Sequence, residues 1–431
     1  MKTVNVGIIG FGTVGSGVVK ALKARRELIR RKSGIDIRIA GICDADLRSK
    51  RDVKVDKKLL TKDAYKLIRD PQVDIVVELI GGIHPAKEII LESLNMGKPV
   101  VTANKALLAH SGEEIVKAAQ KKSTYIRFEA SVCGGVPVIK AIRESFVANK
   151  MAALFGIVNG TSNYILTQMK EKQVEFKVAL KSAQKKGYAE RIPSLDVKGI
   201  DASHKLAILA LLAFGHHVKL SDIYTEGIEG ISYRDIQYAD GLGYVVKPLA
   251  IAKRHGDELE VRVHPTLISK KHLLSNVSGV YNALYLSGDL IGNSLFYGEG
   301  AGKLPTSSAV ISDIVELAKN LIFGGSGTIV DPEFDIGIKK VRKRGDFYTR
   351  YYLHFSAIDK PGVLARVSGI LGKHKISIAS ATQKERKREK VVPIVMTTHW
   401  AKESNMAKAL KEIDRLPAIK KRTIAIRIEG G

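Results

Sequence analysis

Asp201 and Lys205 stand four residues apart, just ahead of a run from Leu206 to Phe214 that is apolar on every side. Read as a helix, that run is buried, and the two charged residues share one face at its mouth. Glu190 and Asp196 lie in the proline-broken loop before it. Charges beside a buried helix are costly to desolvate unless they pair or take part in chemistry. The chemistry a lysine offers in such a place is proton transfer. Taken alone, the pair reads equally well as an ion pair capping a surface helix.

A second chemical feature is Gly10-Phe11-Gly12-Thr13-Val14-Gly15, placed directly after the β-branched run Val4 to Ile9. In a strand–turn–helix context this G-x-G-x-x-G spacing binds a dinucleotide. The first glycine permits the turn, the second lets backbone approach a pyrophosphate, and the third packs helix on sheet. Asp44 ends the next strand-like run, where an acid takes the ribose 2′-hydroxyl of NAD. Arg38, Arg48, Lys50 and Arg51 stand near enough in sequence to take the 2′-phosphate of NADP, so both cofactors stay open. Thr102-Ala103-Asn104-Lys105 closes a further strand at the end that faces the ligand crevice of a parallel sheet. Asn159-Gly160-Thr161 opens another helix, whose free amides suit a carboxylate. The plain alternative there is a helix capped by Thr161 or Ser162.

The elements that must position these residues follow from periodicity. Strand-like runs at Val4–Ile9, Asp36–Cys43, Asp74–Ile80, Pro99–Ala103 and Tyr125–Val132 alternate with helical stretches. The first helix pattern runs from Thr13 to about Arg31. Such alternation predicts a doubly wound parallel sheet. After Pro137 the pattern changes to long helices (Val138–Ala148, Ser162–Lys170, Val174–Lys186, Ala202–Phe214) with later strands at Glu258–Val263 and Gly279–Leu286. A helix from Pro305 to Leu321 is expected to pack back on the first domain. The glycine-rich Gly324–Gly327 and charged Ile338–Asp346 then lead into a strand–helix–strand–strand–helix–strand tail. Expected boundaries are 1–130, completed by 305–330, then 131–304, a linker at 331–349, and 350–431.

The 431-residue chain carries a net charge of +26, with only two cysteines, Cys43 and Cys133. Two cysteines make neither a disulfide framework nor a zinc site. The basic residues are dispersed among acids and lack interleaved aromatics, so a solvated surface is expected and no nucleic-acid partner. No secretory cleavage pattern is read, and no apolar run approaches the ~20 residues that span a bilayer. A soluble, cytoplasmic protein without a membrane partner is expected.

Six segments, in order and at matching spacing, carry a resemblance: G-F-G-T-V-G, T-A-N-K-A-L, F-E-A-S-V-C-G-G-V-P, G-I-V-N-G-T-S-N-Y-I-L, G-Y-A-E with G-I-D-A-S-H-K-L-A-I-L, and G-E-G-A-G-K-L-P-T. Over nearly its whole length the chain resembles homoserine dehydrogenase with a C-terminal ACT domain. The resemblance implies an α/β protein: a Rossmann-type sheet, an α+β catalytic and dimerisation domain, and a ferredoxin-like βαββαβ tail. It implies interconversion of aspartate 4-semialdehyde and homoserine with NAD(H) or NADP(H). Lys205 is then the proton donor, with Asp201 beside it, and Lys105 lies by substrate and nicotinamide. Glu190 takes the substrate amino group, and Asn159, Gly160, Thr161 and Asp196 complete the amino-acid site. The glycine loop, Asp44, Asn104, Lys105 and Gly302 contact the cofactor. A sodium ion on Glu129, Val132, Gly134 and Val136 is also implied. One departure is Arg191-Ile192, where the family often has an acid.

The tail implies an amino-acid effector, threonine, at Asp359, Pro361, Gly362 and Val363, with Ile376 and Ile378 on a partner strand of a homodimer or homotetramer. Two other readings remain at this stage. One is another Rossmann-type semialdehyde dehydrogenase; oxidation to an acid would call for a nucleophilic cysteine, and Cys133 has no evident histidine base. The other is an idle amino-acid sensor.

Overall fold

A computed structural model describes residues 2–324, 337–383 and 391–430. Gly325–Gly327, the rest of 325–336 and the basic stretch Lys384–Lys390 lie outside the described residues. The chain divides into two units: 1–152 with 204–220 and 282–338, and 153–203 with 221–281 and 339–431.

The first unit holds six strands: β1 (Lys2–Ile9), β2 (Ile35–Cys43), β3 (Leu60–Thr61), β4 (Ile75–Glu78), β5 (Val100–Thr102) and β6 (Ile126–Arg127). All neighbours pair in parallel, in the order β3-β2-β1-β4-β5-β6. Strand order reverses between β1 and β4, and ligands bind such sheets at the carboxyl ends beside that switch. The β-branched runs are buried on both faces, as parallel strands require: Val6, Ile8, Ile75 and Val77 are inaccessible to solvent. Helix Lys303–Phe323 belongs to the same unit and adds Val310, Ile314 and Leu317 to this core.

Three local expectations are corrected. The first helix pattern is two helices, Thr13–Ala24 and Arg26–Ser33, broken at Arg25 (φ −112°, ψ 12°). The change of direction brings the Arg26 guanidinium onto both carboxylate oxygens of Asp36 in β2, at 2.8 and 2.7 Å. The strand expected over Tyr125–Val132 stops at Arg127, because Glu129 turns inward. Its amide binds the Asp313 carboxylate at 2.8 Å, and its own oxygens accept the Ile139 and Lys140 amides at 2.9 and 2.8 Å. A helix starts there, but Val138–Lys140 is one α turn followed by a widened turn over Ala141–Ser145.

Burial pushes the Asp313 carboxyl up to about 7. An acid with a raised folded pKa holds its proton longer in the native state than in the unfolded chain. Its contribution to stability is therefore lost as pH rises from about 4 to about 7. Asp313→Asn is expected to flatten the fall in thermal midpoint across that window; an unchanged slope would assign the pH dependence to other groups.

The second unit is built on a mixed sheet. Its strands run in the order Met151–Ile157, Tyr244–His255, Glu258–Ser269, Ile424–Glu429, Tyr348–Ile358, Val391–Thr398, Ile378–Gln383. With helices Val363–Lys373 and Glu403–Ile413, the last four strands make a βαββαβ unit of ferredoxin-like order. Strand Glu258–Ser269 extends well past the expected Val263. Its end pairs in parallel with Ile424–Glu429, Thr266 opposite Arg427, so the tail's sheet continues the sheet ahead of it. Buried charges along this seam are paired. Arg262 bonds Glu260 at 2.8 Å and also Glu429, and Arg427 bonds Glu403 and, at 2.9 Å, Glu226.

Candidate functional site

In the first unit, Gly10 follows β1 with φ +104°, a conformation open to glycine, and packs against the Leu79 carbonyl beyond β4. Helix Thr13–Ala24 starts with Gly12 at its N-cap and presents its first-turn amides there. Asp44 turns back onto this loop: one oxygen accepts the Phe11 amide at 2.5 Å and the other the Asp46 amide at 2.8 Å. Arg51 lies over the Phe11 ring at 5.5 Å, donates to the Phe11 carbonyl at 3.0 Å, and stands 4.0 Å from Asp44. Arg38 is paired with Asp36 at 2.8 Å. Gly302 caps helix Lys303–Phe323 with φ +118°.

Lys105 is the first residue of helix Lys105–Lys121. Asn104 caps that helix through the Leu107 amide at 3.1 Å, and its side-chain amide donates to the Gly82 carbonyl at 2.6 Å. Helix Ile200–Phe214 carries Asp201 and Lys205, 6% and 7% exposed, on one face, ahead of the apolar run Leu206 to Phe214. The first unit also places the rings of His110 and His204, one residue before Lys205, 5.9 Å apart edge to face.

In the second unit, Asn159 organises the amino-acid candidates. Its side-chain oxygen accepts the Ser162 amide at 2.8 Å, so Asn159 rather than Thr161 or Ser162 caps helix Gly160–Lys172. Its side-chain nitrogen donates to both Asp196 (2.7 Å) and Asp201 (2.8 Å). Two carboxylates thereby gather at a helix N-terminus, a setting that favours negative charge. Thr161 is committed to the Tyr188 carbonyl at 2.6 Å. Gly160 admits no side chain, since a Cβ would lie 2.5 Å from the Val280 carbonyl oxygen. Glu190 is exposed on the loop that Gln184 braces through the Glu190 carbonyl at 3.1 Å, and Ile192 beside it is 76% exposed.

Two of the four expected cation ligands accept hydrogen bonds within the chain. Both Glu129 oxygens hold amides, and the Val136 carbonyl accepts the Val138 amide at 2.8 Å. Cys133 and Gly134 form a left-handed pair (φ +55° and +46°). Each of the Glu129 and Val136 oxygens keeps a lone pair beyond its one hydrogen bond, and a carboxylate with backbone carbonyls is a donor set of the hard kind that a sodium ion takes. In the tail, Gly362 (φ +84°) caps helix Val363–Lys373, Asp359 and Pro361 are exposed, Val363 and Ile376 are buried and Ile378 is half-buried.

Sequence reasoning missed two groups. Glu78, at the end of β4, has no exposed surface and accepts the Thr102 hydroxyl and the Ile80 and Gly81 amides. Asn163, one turn into its helix, donates to the carbonyls of Val277, Gly279 and Tyr281. The glutamate stood inside an apolar strand run and the asparagine inside a helix, with no local pattern to mark either.

The sequence profiles of three families match in chain order: the homoserine dehydrogenase NAD-binding domain over residues 10–129, homoserine dehydrogenase over 137–315, and the ACT domain over 351–418. Homoserine dehydrogenase of Pseudomonas aeruginosa is 42% identical over 433 residues, covering 100% of this chain and 99% of that protein. The crystal structure of a homoserine dehydrogenase from Thiobacillus denitrificans superposes with a TM-score of 0.92 at 41% identity, covering 100% and 99% of the two chains. A hyperthermophilic archaeal homoserine dehydrogenase in complex with NADPH gives 0.62 at 25% identity, covering 73% of this chain and 98% of that one. No described helix is long and apolar enough to cross a membrane. A parallel sheet with its glycine loop, a buried helix bearing Asp201 and Lys205, and full-length relatives agree: the chain belongs to the homoserine dehydrogenase family, NAD(P)-dependent oxidoreductases acting on a CH–OH group.

Proposed function

We propose that this enzyme interconverts aspartate 4-semialdehyde and homoserine with Lys205 as the proton-transferring residue. The nicotinamide cofactor supplies or accepts the hydride. In the reducing direction negative charge develops on the carbonyl oxygen, and the Lys205 ammonium stabilises it and gives up a proton. Asp201, one turn earlier on the same helix, favours the charged lysine. Lys105 binds beside the reacting carbon. First-turn amides of the Gly160–Lys172 helix hold the substrate carboxylate, and Glu190 with Asp196 holds its ammonium. The observation that carries this reading is the Asn159 side chain, which binds Asp196 and Asp201 at once.

NADP(H) is the preferred cofactor in this proposal. Arg51 beside Asp44 offsets the carboxylate charge that would otherwise repel a 2′-phosphate, and Arg48 and Lys50 are exposed nearby. The archaeal relative bound to NADPH supports the same choice. Threonine is the proposed effector, taken at Asp359–Val363 with Ile376 and Ile378 of a second subunit. A homodimer or homotetramer would cover Leu290, Leu295 and Tyr297, which are exposed at 73%, 36% and 53%.

The test is homoserine oxidation followed at the nicotinamide absorbance with NAD and NADP side by side, with and without threonine. Turnover with NADP and inhibition by threonine are expected; no turnover with either cofactor sinks the proposal. Glu190→Ala is expected to raise the KM for homoserine at least about 10-fold with a smaller change in kcat, the signature of a lost binding contact. An unchanged KM removes Glu190 from the ammonium site.

A further inference from the structure

Glu78 closes β4 at the crevice end of the first unit's sheet, with no solvent exposure and no part in the chemistry above. One oxygen accepts the amides of Ile80 (2.8 Å) and Gly81 (3.2 Å). The other accepts the Thr102 hydroxyl at 2.6 Å. Thr102 in turn accepts the Asn104 amide at 3.0 Å, and Asn104 caps the helix whose first residue is Lys105. The Asn104 side chain also reaches across to the Gly82 carbonyl at 2.6 Å. Leu79, between Glu78 and the loop, bonds Ile9 at 2.7 Å and carries the carbonyl on which Gly10 packs. A single buried carboxylate thus ties the 79–82 loop to the turn that launches Lys105, and the Leu79 backbone joins the same loop to the glycine turn.

A lone carboxylate met only by neutral donors is an expensive thing to bury, and burial accordingly raises its pKa. A strand end that needed only to be filled would be served by an apolar residue. We infer that Glu78 is a positioning residue, acting through Thr102 and Asn104 to orient Lys105. This rests on the proposed role of Lys105. The chemistry accounts for each bond. Thr102 spends its only proton on Glu78, which leaves its oxygen lone pairs for the Asn104 amide. A glutamine at 78 would turn an N–H toward a hydroxyl already accepting another, so the hydroxyl proton would have to point elsewhere and the turn would lose its anchor.

The experiment compares Glu78→Gln, Thr102→Val, Lys105→Ala and the doubles E78Q/T102V and E78Q/K105A in full-length enzyme. Readouts are kcat, both KM values, thermal midpoint and NADPH binding. Glu78→Gln is expected to lower kcat about 10- to 100-fold, as loss of an orienting group does, with NADPH still bound. Thr102→Val should reproduce the loss, and E78Q/T102V should be no slower than the slower single variant. E78Q should add nothing to K105A. Additive losses, or an unchanged kcat in E78Q, overturn the inference. Full turnover by K105A overturns the lysine assignment, and the Glu78 route with it; a further loss in E78Q/K105A overturns the route alone. Where E78Q fails to fold, Thr102→Val and its K105A double give the same decision, because the hydroxyl is the link under test.

Discussion

Lys205→Ala is expected to lower kcat for homoserine oxidation by about 10²- to 10⁴-fold, the span that a positioned proton donor or acceptor contributes. The loss should be shared by kcat and kcat/KM, because the alkoxide-like charge that the lysine meets exists only in the transition state. NADPH binding, read by fluorescence, should survive, since the glycine loop and Lys205 lie on different elements. Lys205→Arg should not rescue the enzyme: a guanidinium keeps its charge but cannot take up and release the proton. Lys205→Met, close in volume, guards against a packing artefact at a residue only 7% exposed. Near-normal turnover in the alanine or methionine variant would sink the proton-transfer role and leave Lys205 as a buried partner of the Asp201 turn.

The glycine loop yields the second large effect, because two of its glycines are needed for different reasons. A Cβ on Gly15 would sit 1.9 Å from the Gly10 carbonyl oxygen, a backbone atom that cannot move without shifting β1 or the helix. Gly15→Ala should destabilise the fold at or above the upper end of overpacking costs, about 3 kcal/mol, and lose cofactor binding as a consequence. A Cβ on Gly12 would meet nothing within 4 Å, and its φ of −73° suits alanine. Gly12→Ala should therefore leave the thermal midpoint within a degree or two while weakening NADPH binding at least about 10-fold, because the open space is where the pyrophosphate must approach. Equal thermal midpoints in the two variants would refute the steric account. Unweakened NADPH binding in Gly12→Ala would move the pyrophosphate away from this turn.

Much of this protein was legible in its sequence for reasons that are local. β-branched runs mark strands buried on both faces. Gly10, Gly12 and Gly15 mark a turn where Gly10 and Gly15 admit no side chain and Gly12 leaves open space for a ligand, and Leu206 to Phe214 marks a helix with no wet side. Homoserine dehydrogenase motifs spaced along the whole chain carried the activity. The misread elements are those that a distant partner decides. Arg25 breaks a helix so that Arg26 can meet Asp36, and Glu129 ends a strand because Asp313, 184 residues on, takes its amide. Asn159 outcompetes Thr161 and Ser162 as cap since only an amide can accept from Ser162 while donating to Asp196 and Asp201. Glu78 gave no signal at all, its hydroxyl partner lying 24 residues away across the sheet. Periodicity records which side of an element faces the core. Which polar groups meet inside that core depends on the strand order that brings β4 beside β5, and the tail's last strand beside Glu258–Ser269, and that order exists only in the folded chain.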